Sequence, residues 1–142
     1  MIIRKARKSD LKEILSLFNN SKELAGDKND SYETYTIKQY IHGPVFKTFV
    51  AEVNGEIVGV ISIELWKKAK YSYLDNIVVA KKFRGQKIGY LLMCYAEKFI
   101  KKQGSKYFFY YTEEGNKAMQ KMSDKLNYKK GKKFIFYSKY IK

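Results

Sequence analysis

Cysteine, proline, histidine and arginine are nearly missing from this 142-residue chain, and each shortage removes a class of explanation. A single cysteine, Cys94, excludes an internal disulfide and fits a reducing compartment. A single histidine, His42, sits in a polar stretch before the only proline, Pro44, without the partners that a triad or a metal site needs, so no metal is expected. No run of about 18 apolar residues occurs, and no membrane span is expected. The chain opens on strand-like residues 2–7 with no signal or lipidation motif ahead of them, so the expected location is the cytoplasm. With no repeat and no linker-like stretch, residues 1–142 read as a single domain.

What the chain has in excess is lysine. Lys+Arg number 29 against 14 Asp+Glu, a formal charge of +15, and only Arg4, Arg7 and Arg84 are arginines. Such a balance suggests an anionic partner. Nucleic-acid readers, however, use the bidentate fork of arginine, so a nucleic-acid partner is disfavoured. The inflation of Lys together with Ile, Tyr and Asn points to biased composition, and each basic residue has to be judged by its position. At 45% hydrophobic and 16% aromatic, the chain has ample material for a core.

Residues 2–7 read as a strand. Ser9 and Asp10 offer an N-cap with Glu13 three residues after Asp10, and Leu11, Ile14, Leu15 and Phe18 follow at helical spacing. Gly26 and Asp27 mark a turn in polar residues 19–30, and residues 31–41 suggest a second helix that ends at His42-Gly43-Pro44. Residues 48–53 and 56–65 are β-rich runs around Asn54-Gly55, the dipeptide of a type I′ hairpin. Residues 71–79 are a further strand. Ile88, Leu91, Leu92, Tyr95, Ala96, Phe99 and Ile100 form the best amphipathic helix, with Gly104 as its C-terminal cap. Residues 106–112 read as a strand buried on both faces, 116–126 as a helix with Met119, Met122 and Leu126 inward, and 134–141 as a last strand. Cys94, inside the long helix, is expected to be a small buried hydrophobe. The order β-α-α-β-β-β-α-β-α-β implies an α/β (α+β) fold, a mixed sheet with helices packed on it.

The chemistry concentrates between the 71–79 strand and the long helix, in Lys81-Lys82-Phe83-Arg84-Gly85-Gln86-Lys87-Ile88-Gly89. A helix N-terminus presents backbone N–H groups without internal partners and the positive end of the dipole. Gly85 and Gly89 let a ligand approach the backbone, and Lys81, Lys82, Arg84 and Lys87 add positive charge, so a phosphate or pyrophosphate is the natural occupant. Neither a Walker lysine motif nor G-x-G-x-x-G is present.

An R-G-x-x-I-G turn, after a strand ending Ile-Val-Val and before a long amphipathic helix, resembles the GNAT superfamily of acyl-CoA N-acyltransferases. The family signature there is Q/R-x-x-G-x-G/A; Arg84, Ile88 and Gly89 match it, and Lys87 stands where the middle glycine is usual. Ile2-Ile3-Arg4-Lys5-Ala6 with Ser9-Asp10 is similar to the family's opening, and Phe49 through Asn54-Gly55 to Val60 to its second and third strands. Residues 74–79 are similar to its fourth strand, and residues 116–128 to its N-x(6)-Y-x-x-x-G-F segment.

The resemblance implies a mostly antiparallel twisted sheet opening between its fourth and fifth strands, with acetyl-CoA as cosubstrate in the opening. By position, the cofactor arm would bond backbone groups of Ile77 and Val79, and the pyrophosphate the amides of Arg84, Gly85, Gln86, Lys87, Ile88, Gly89 and Tyr90. Asn116 would contact the arm. Asp75 is the implied general base, with an ordered water as the alternative. The usual general acid is a tyrosine seven residues after the asparagine; counting from Asn116 reaches Ser123, read as a helix-surface residue.

Three functions compete on this reading. The first is an N-acetyltransferase acting by direct attack of a primary amine, of a small molecule or a protein, in a ternary complex. The second is a catalytically weak CoA-binding regulatory domain, motivated by Lys87 and Ser123. The third is a basic nucleic-acid module, for which Tyr107 to Tyr111 could mimic a base-stacking strand. Residues 19–47 with Tyr32, Tyr35, Tyr71 and Tyr73 would line the acceptor side, and Asp27, Asp30 and Glu33 could supply a local acidic patch. Dimerisation through terminal strands is common in such folds, so a homodimer stays open.

Overall fold

The computed structural model describes residues 1–21 and 32–141. They fall in two compact units, Met1–Tyr110 and Tyr111–Lys142. The first contains β1 (Ile2–Lys5), α1 (Leu11–Asn19), α2 (Thr34–His42), β2 (Phe46–Val53), β3 (Glu56–Trp66), β4 (Tyr71–Val79), α3 (Ile88–Lys102) and β5 (Tyr107–Phe109); the second contains α4 (Lys117–Lys125). The strands form one sheet in the order β1-β2-β3-β4-β5, antiparallel throughout except for the parallel β4–β5 pair. This is the expected mixed, mostly antiparallel sheet flanked by helices. Gly26, Asp27, Asp30 and Ser31 lie outside the described residues.

The β2–β3 hairpin turns where its sequence demands. Asn54 and Gly55 both take positive φ, 51° and 80°, and the strands run beyond the expected bounds to Phe46 and Trp66. Cross-strand pairing then sorts the side chains by face. Phe49, Ala51, Gly59 and Ile61 share one face with Ile77 and Val79; Thr48, Val50, Val60 and Ser62 share the other with Asn76 and Val78.

α3 covers the first face with a buried stripe of Ile88, Leu92, Met93, Ala96 and Ile100. Leu91 and Tyr95, expected on that stripe, sit at its margin, 40% and 38% exposed. Phe49 still holds the helix through edge contacts with Tyr95 and Phe99, both at 5.0 Å. Gly59 sets how closely the helix start approaches: a Cβ there would stand 3.0 Å from Leu92 Cδ1 and 3.1 Å from Ile88 Cγ2. At the other end the Ser105 amide donates to Ile100 O and the Gly104 amide to Lys101 O, both 3.1 Å, the Schellman cap that Gly104 announced. Cys94 is only half-buried, because its helical position falls between the stripe and solvent.

α1 and α2 cover the second face, where Ile14, Phe18, Ile37, Tyr40 and Ile41 form one core with Val50, Val60 and Val78. Two buried hydroxyls pin α2 to the sheet. Thr48 Oγ1 donates to the Tyr40 carbonyl (2.6 Å), so Ser62 Oγ is left to donate to Thr48 (2.9 Å). The expected N-cap at Asp10 is not made: its side chain gives α1 no cap bond, because the carboxylate turns back to Arg4 and the Arg7 amide.

Two strand expectations need correction. β5 covers only Tyr107–Phe109 rather than 106–112, and Tyr107 and Tyr111 are 66% and 61% exposed, not buried on both faces. It is the last strand of the sheet, paired to one neighbour over three positions. Residues 134–141 form no strand: Phe134, Ile135, Phe136, Tyr137, Tyr140 and Ile141 are 71–85% exposed without regular structure. Residues 111–141 contain no strand to pair with, and β propensity alone does not satisfy a strand's backbone groups. In the second unit, Met119 is buried on α4 as expected, while Met122 and Leu126 are half-buried.

Candidate active site

β4 is paired on both sides only at its start. Tyr71, Ser72 and Tyr73 match Tyr107, Phe108 and Phe109; from residue 74 to 79 the strand keeps β3 alone. The Ala80 amide donates to Val58 O of β3 (2.9 Å), so by alternation the N–H groups of Val79 and Ile77 point to the opposite, open edge. The Val79 carbonyl shares that direction and accepts from Arg84 Nε (3.0 Å). Arg84 thus folds the turn back against the end of β4.

The turn itself is a 3-10 segment, Lys81–Phe83, followed by extended Arg84 and two left-handed residues, Gly85 (φ 79°) and Lys87 (φ 63°). Lys87 occupies the N-cap of α3 and its side chain caps nothing, leaving the first amides of the helix to an outside acceptor. The Ile88 side chain is buried against the sheet, so only its backbone faces the turn. Tyr90, one helical turn before Cys94, has its phenol pKa raised by a hydrogen bond to that thiol. Lys82 is drawn away from the turn by Glu56 (2.8 Å).

The left-handed geometry explains why glycine is usual where Lys87 stands. A side chain in this region costs about 1–2 kcal/mol, partly offset by the lower entropy of a non-glycine unfolded chain. Lys87→Gly is therefore expected to raise stability by about 0.5–1 kcal/mol, read as a higher urea midpoint at unchanged slope.

Asp75 sits at a break in register. Ile63 pairs with Leu74 and Ser62 with Asn76, so Asp75 is the unmatched residue of a β-bulge. The bulge brings consecutive side chains onto one face: Asn76 Nδ2 donates to Asp75 Oδ2 (2.7 Å) and to Tyr40 Oη (2.8 Å), while Tyr32 Oη donates to Asn76 Oδ1 (3.0 Å). Burial raises the pKa of both phenols, helped by the negative charge of Asp75, so both stay protonated as donors. Tyr32 also meets Phe18 at 4.8 Å.

Of the acceptor-side residues, Tyr32 joins this cluster and Tyr73 lies on the same face, one pleat from Asp75. Tyr35 does not join it; it is 72% exposed on α2. Tyr40 and the bridging role of Asn76 escaped the sequence reading. The available signal was Asp75-Asn76 itself, two adjacent polar residues breaking the alternation of an otherwise apolar strand. In the second unit, Asn116 Oδ1 caps α4 by accepting from the Met119 amide (3.0 Å). Ser123, half-buried rather than on the surface, donates its hydroxyl to Met119 O (2.7 Å). Among the described residues no group of three or more His, Cys, Asp or Glu gathers as a metal site, and no helix is long and apolar enough to cross a membrane.

Known proteins share this fold. No curated protein sequence matches the chain. Solved structures do. An aminoglycoside acetyltransferase, meta-AAC0020 from an uncultured soil metagenomic sample, in complex with sisomicin, superposes with a TM-score of 0.79 at 16% identity, over 99% of this chain and 96% of its own. AAC(6')-Iy in complex with the bisubstrate analogue CoA-S-monomethyl-acetylneamine gives 0.80 at 19% identity, over 99% and 98%. A transcriptional regulator from Bacillus halodurans C-125 gives 0.77 at 21%, over 95% and 99%. At such identities these likenesses establish the fold. The pattern of the Acetyltransferase (GNAT) family matches residues 10–128, from the start of α1 past α4, and includes both the opened strand and the basic turn. The chain belongs to the GNAT acetyltransferase family.

Proposed function

We propose that the protein, as one acetyltransferase domain, moves an acetyl group from acetyl-CoA to a primary amine by direct attack in a ternary complex. The observation that carries this reading is the edge of β4 over residues 74–79, open opposite β3 and leading into an uncapped helix start. That run suits a long ligand with an amide-bearing arm and an anionic diphosphate. Ile77 and Val79 would hold the arm through their backbone. The amides of Arg84, Gly85, Gln86, Lys87, Ile88, Gly89 and Tyr90 would hold the diphosphate, with Lys81 and Lys87 adding charge. Solved neighbours bound to CoA or a CoA bisubstrate analogue support this ligand.

Acetyl-CoA supplies the activated acetyl thioester. Asp75 accepts the proton of the attacking amine, held in place by Asn76 and Tyr40. The backbone N–H of Val79 or of a neighbour on the open edge would donate to the thioester carbonyl. Ser123, whose proton is committed to Met119 O, does not serve as general acid. A thiolate with a conjugate-acid pKa of about 8.5 departs without a strong one. The same commitment of Ser123 favours a second reading, a domain that binds CoA and turns over slowly or not at all. Amine-dependent release of free thiol from acetyl-CoA across an amine panel decides between them: release supports transfer, and binding without release supports the regulatory reading. A homodimer belongs to the proposal as well, supported by the exposed apolar run at 134–141 and read by light scattering.

A further inference from the structure

The face of β4 that carries Asp75 continues into an open aromatic surface. Trp66 stacks on Tyr71 (6.2 Å), Tyr71 and Tyr73 meet Phe109 (5.9 and 5.3 Å), and Phe109 stacks on Tyr107 (5.5 Å). Trp66 remains 42% exposed and Tyr107 66%. Such rings are normally buried; here they line the outer half of a sheet face whose inner half is covered by α1 and α2.

A carboxylate lies among them. Glu64 pairs across the sheet with Tyr73, is half-buried, and accepts the Trp66 indole N–H on Oε2 (2.9 Å). The diagonal from Glu64 to Asp75 on one face of an antiparallel pair spans about 7–8 Å. Cations outnumber carboxylates two to one in this chain, yet among the described residues neither Glu64 nor Asp75 forms an ion pair. Lys67, Lys68 and Lys70, in the turn just beyond Trp66, are exposed and leave Glu64 unneutralised. Aromatic faces around a carboxylate suit an ammonium group, which gains from the ring quadrupole and from the negative charge together.

We infer that this surface selects the acceptor, and that the acceptor is a diamine or polyamine: a second ammonium lodges between Glu64 and the rings of Trp66 and Tyr73 while the reacting amine reaches Asp75. The catalytic half of this statement rests on the acetyl-transfer reading; the binding half does not.

Trp66 is the only tryptophan, so its emission reports occupancy directly. Cadaverine and n-pentylamine, titrated separately at fixed ionic strength, share a five-carbon chain and differ in the second amine. The expected result is a saturable change in emission with cadaverine, binding roughly tenfold tighter than n-pentylamine, with the difference lost in Glu64→Gln. Calorimetry gives the same affinities should that variant alter the emission itself. Equal affinities, no saturable binding of either amine, or a Glu64→Gln variant that discriminates like the parent would each overturn the inference. Thermal stabilisation by CoA, measured on the same samples, separates the two claims. Cadaverine binding without a CoA response contradicts acetyl transfer and leaves the surface; a CoA response without cadaverine selectivity removes the surface alone.

Discussion

Asp75→Asn is expected to lower kcat for amine acetylation by about two to four orders of magnitude while leaving acetyl-CoA affinity within about twofold. The asparagine is nearly isosteric and can keep its oxygen toward Asn76 Nδ2, so the bulge and the Tyr40 contact survive. What disappears is a group able to take the amine proton. The predicted cosubstrate contacts lie instead on the backbone of Ile77 and Val79 and on the turn, which the substitution does not touch. Steady-state kinetics with CoA calorimetry reads both quantities. A kcat within about threefold of the parent would assign proton removal to water and reduce Asp75 to a structural residue of the bulge.

Asp10→Ala is expected to cost about 3 kcal/mol of stability. Asp10, 5% exposed, accepts from Arg4 Nη1 (2.7 Å) and Nη2 (3.0 Å) and from the Arg7 amide (2.7 Å). Arg4 also donates to Glu52 Oε2 (2.8 Å), so one guanidinium ties β1, β2 and the turn into α1. Removing the carboxylate leaves the poorly solvated Arg4 with only Glu52 and the Lys5 carbonyl as partners, and takes the acceptor from the Arg7 amide. A chain of this size has roughly 5–15 kcal/mol in all, so the loss is a large fraction.

The same pair sets an acid limb. The Arg4 hydrogen bond holds the Asp10 carboxyl below its ordinary range, against the opposing effect of burial. Its contribution is therefore full above the unfolded-chain value of about 3.9 and falls away as pH drops through the lower folded value. Asp10→Asn should flatten this acid-side loss in urea titrations between pH 5 and pH 3, taken as approximate limits. An unchanged slope would show that other carboxylates control acid unfolding.

How much was legible follows from how local each signal is. Asn54-Gly55 states its turn in two residues, β4 ran over the bounds its pattern gave, and Gly104 marked the helix end. Asp10 has the composition of an N-cap but a stronger claim on it from Arg4, six residues earlier, which spacing rules do not weigh. Residues 134–141 have strand composition without a neighbour in their unit, and pairing is a property of two segments, not one. The site divides in the same way. The basic turn is contiguous, so its residues were visible, including Lys87 as a departure that proved to be left-handed. The bulge at Asp75 and the meeting of Tyr32, Tyr40 and Asn76 depend on register between β3 and β4 and on the placing of α2, neither of which is written in any single stretch.

The open edge of β4 and the turn beyond it are expected to hold acetyl-CoA. Thermal unfolding with and without CoA, at low and moderate salt, tests it most directly. At about a hundredfold over the dissociation constant, stabilisation should reach about 2.7 kcal/mol, a rise in Tm of roughly 5–15 °C that persists at moderate salt. An unchanged Tm at saturating CoA, in protein shown to be folded, would contradict the account and leave the family's fold without its ligand.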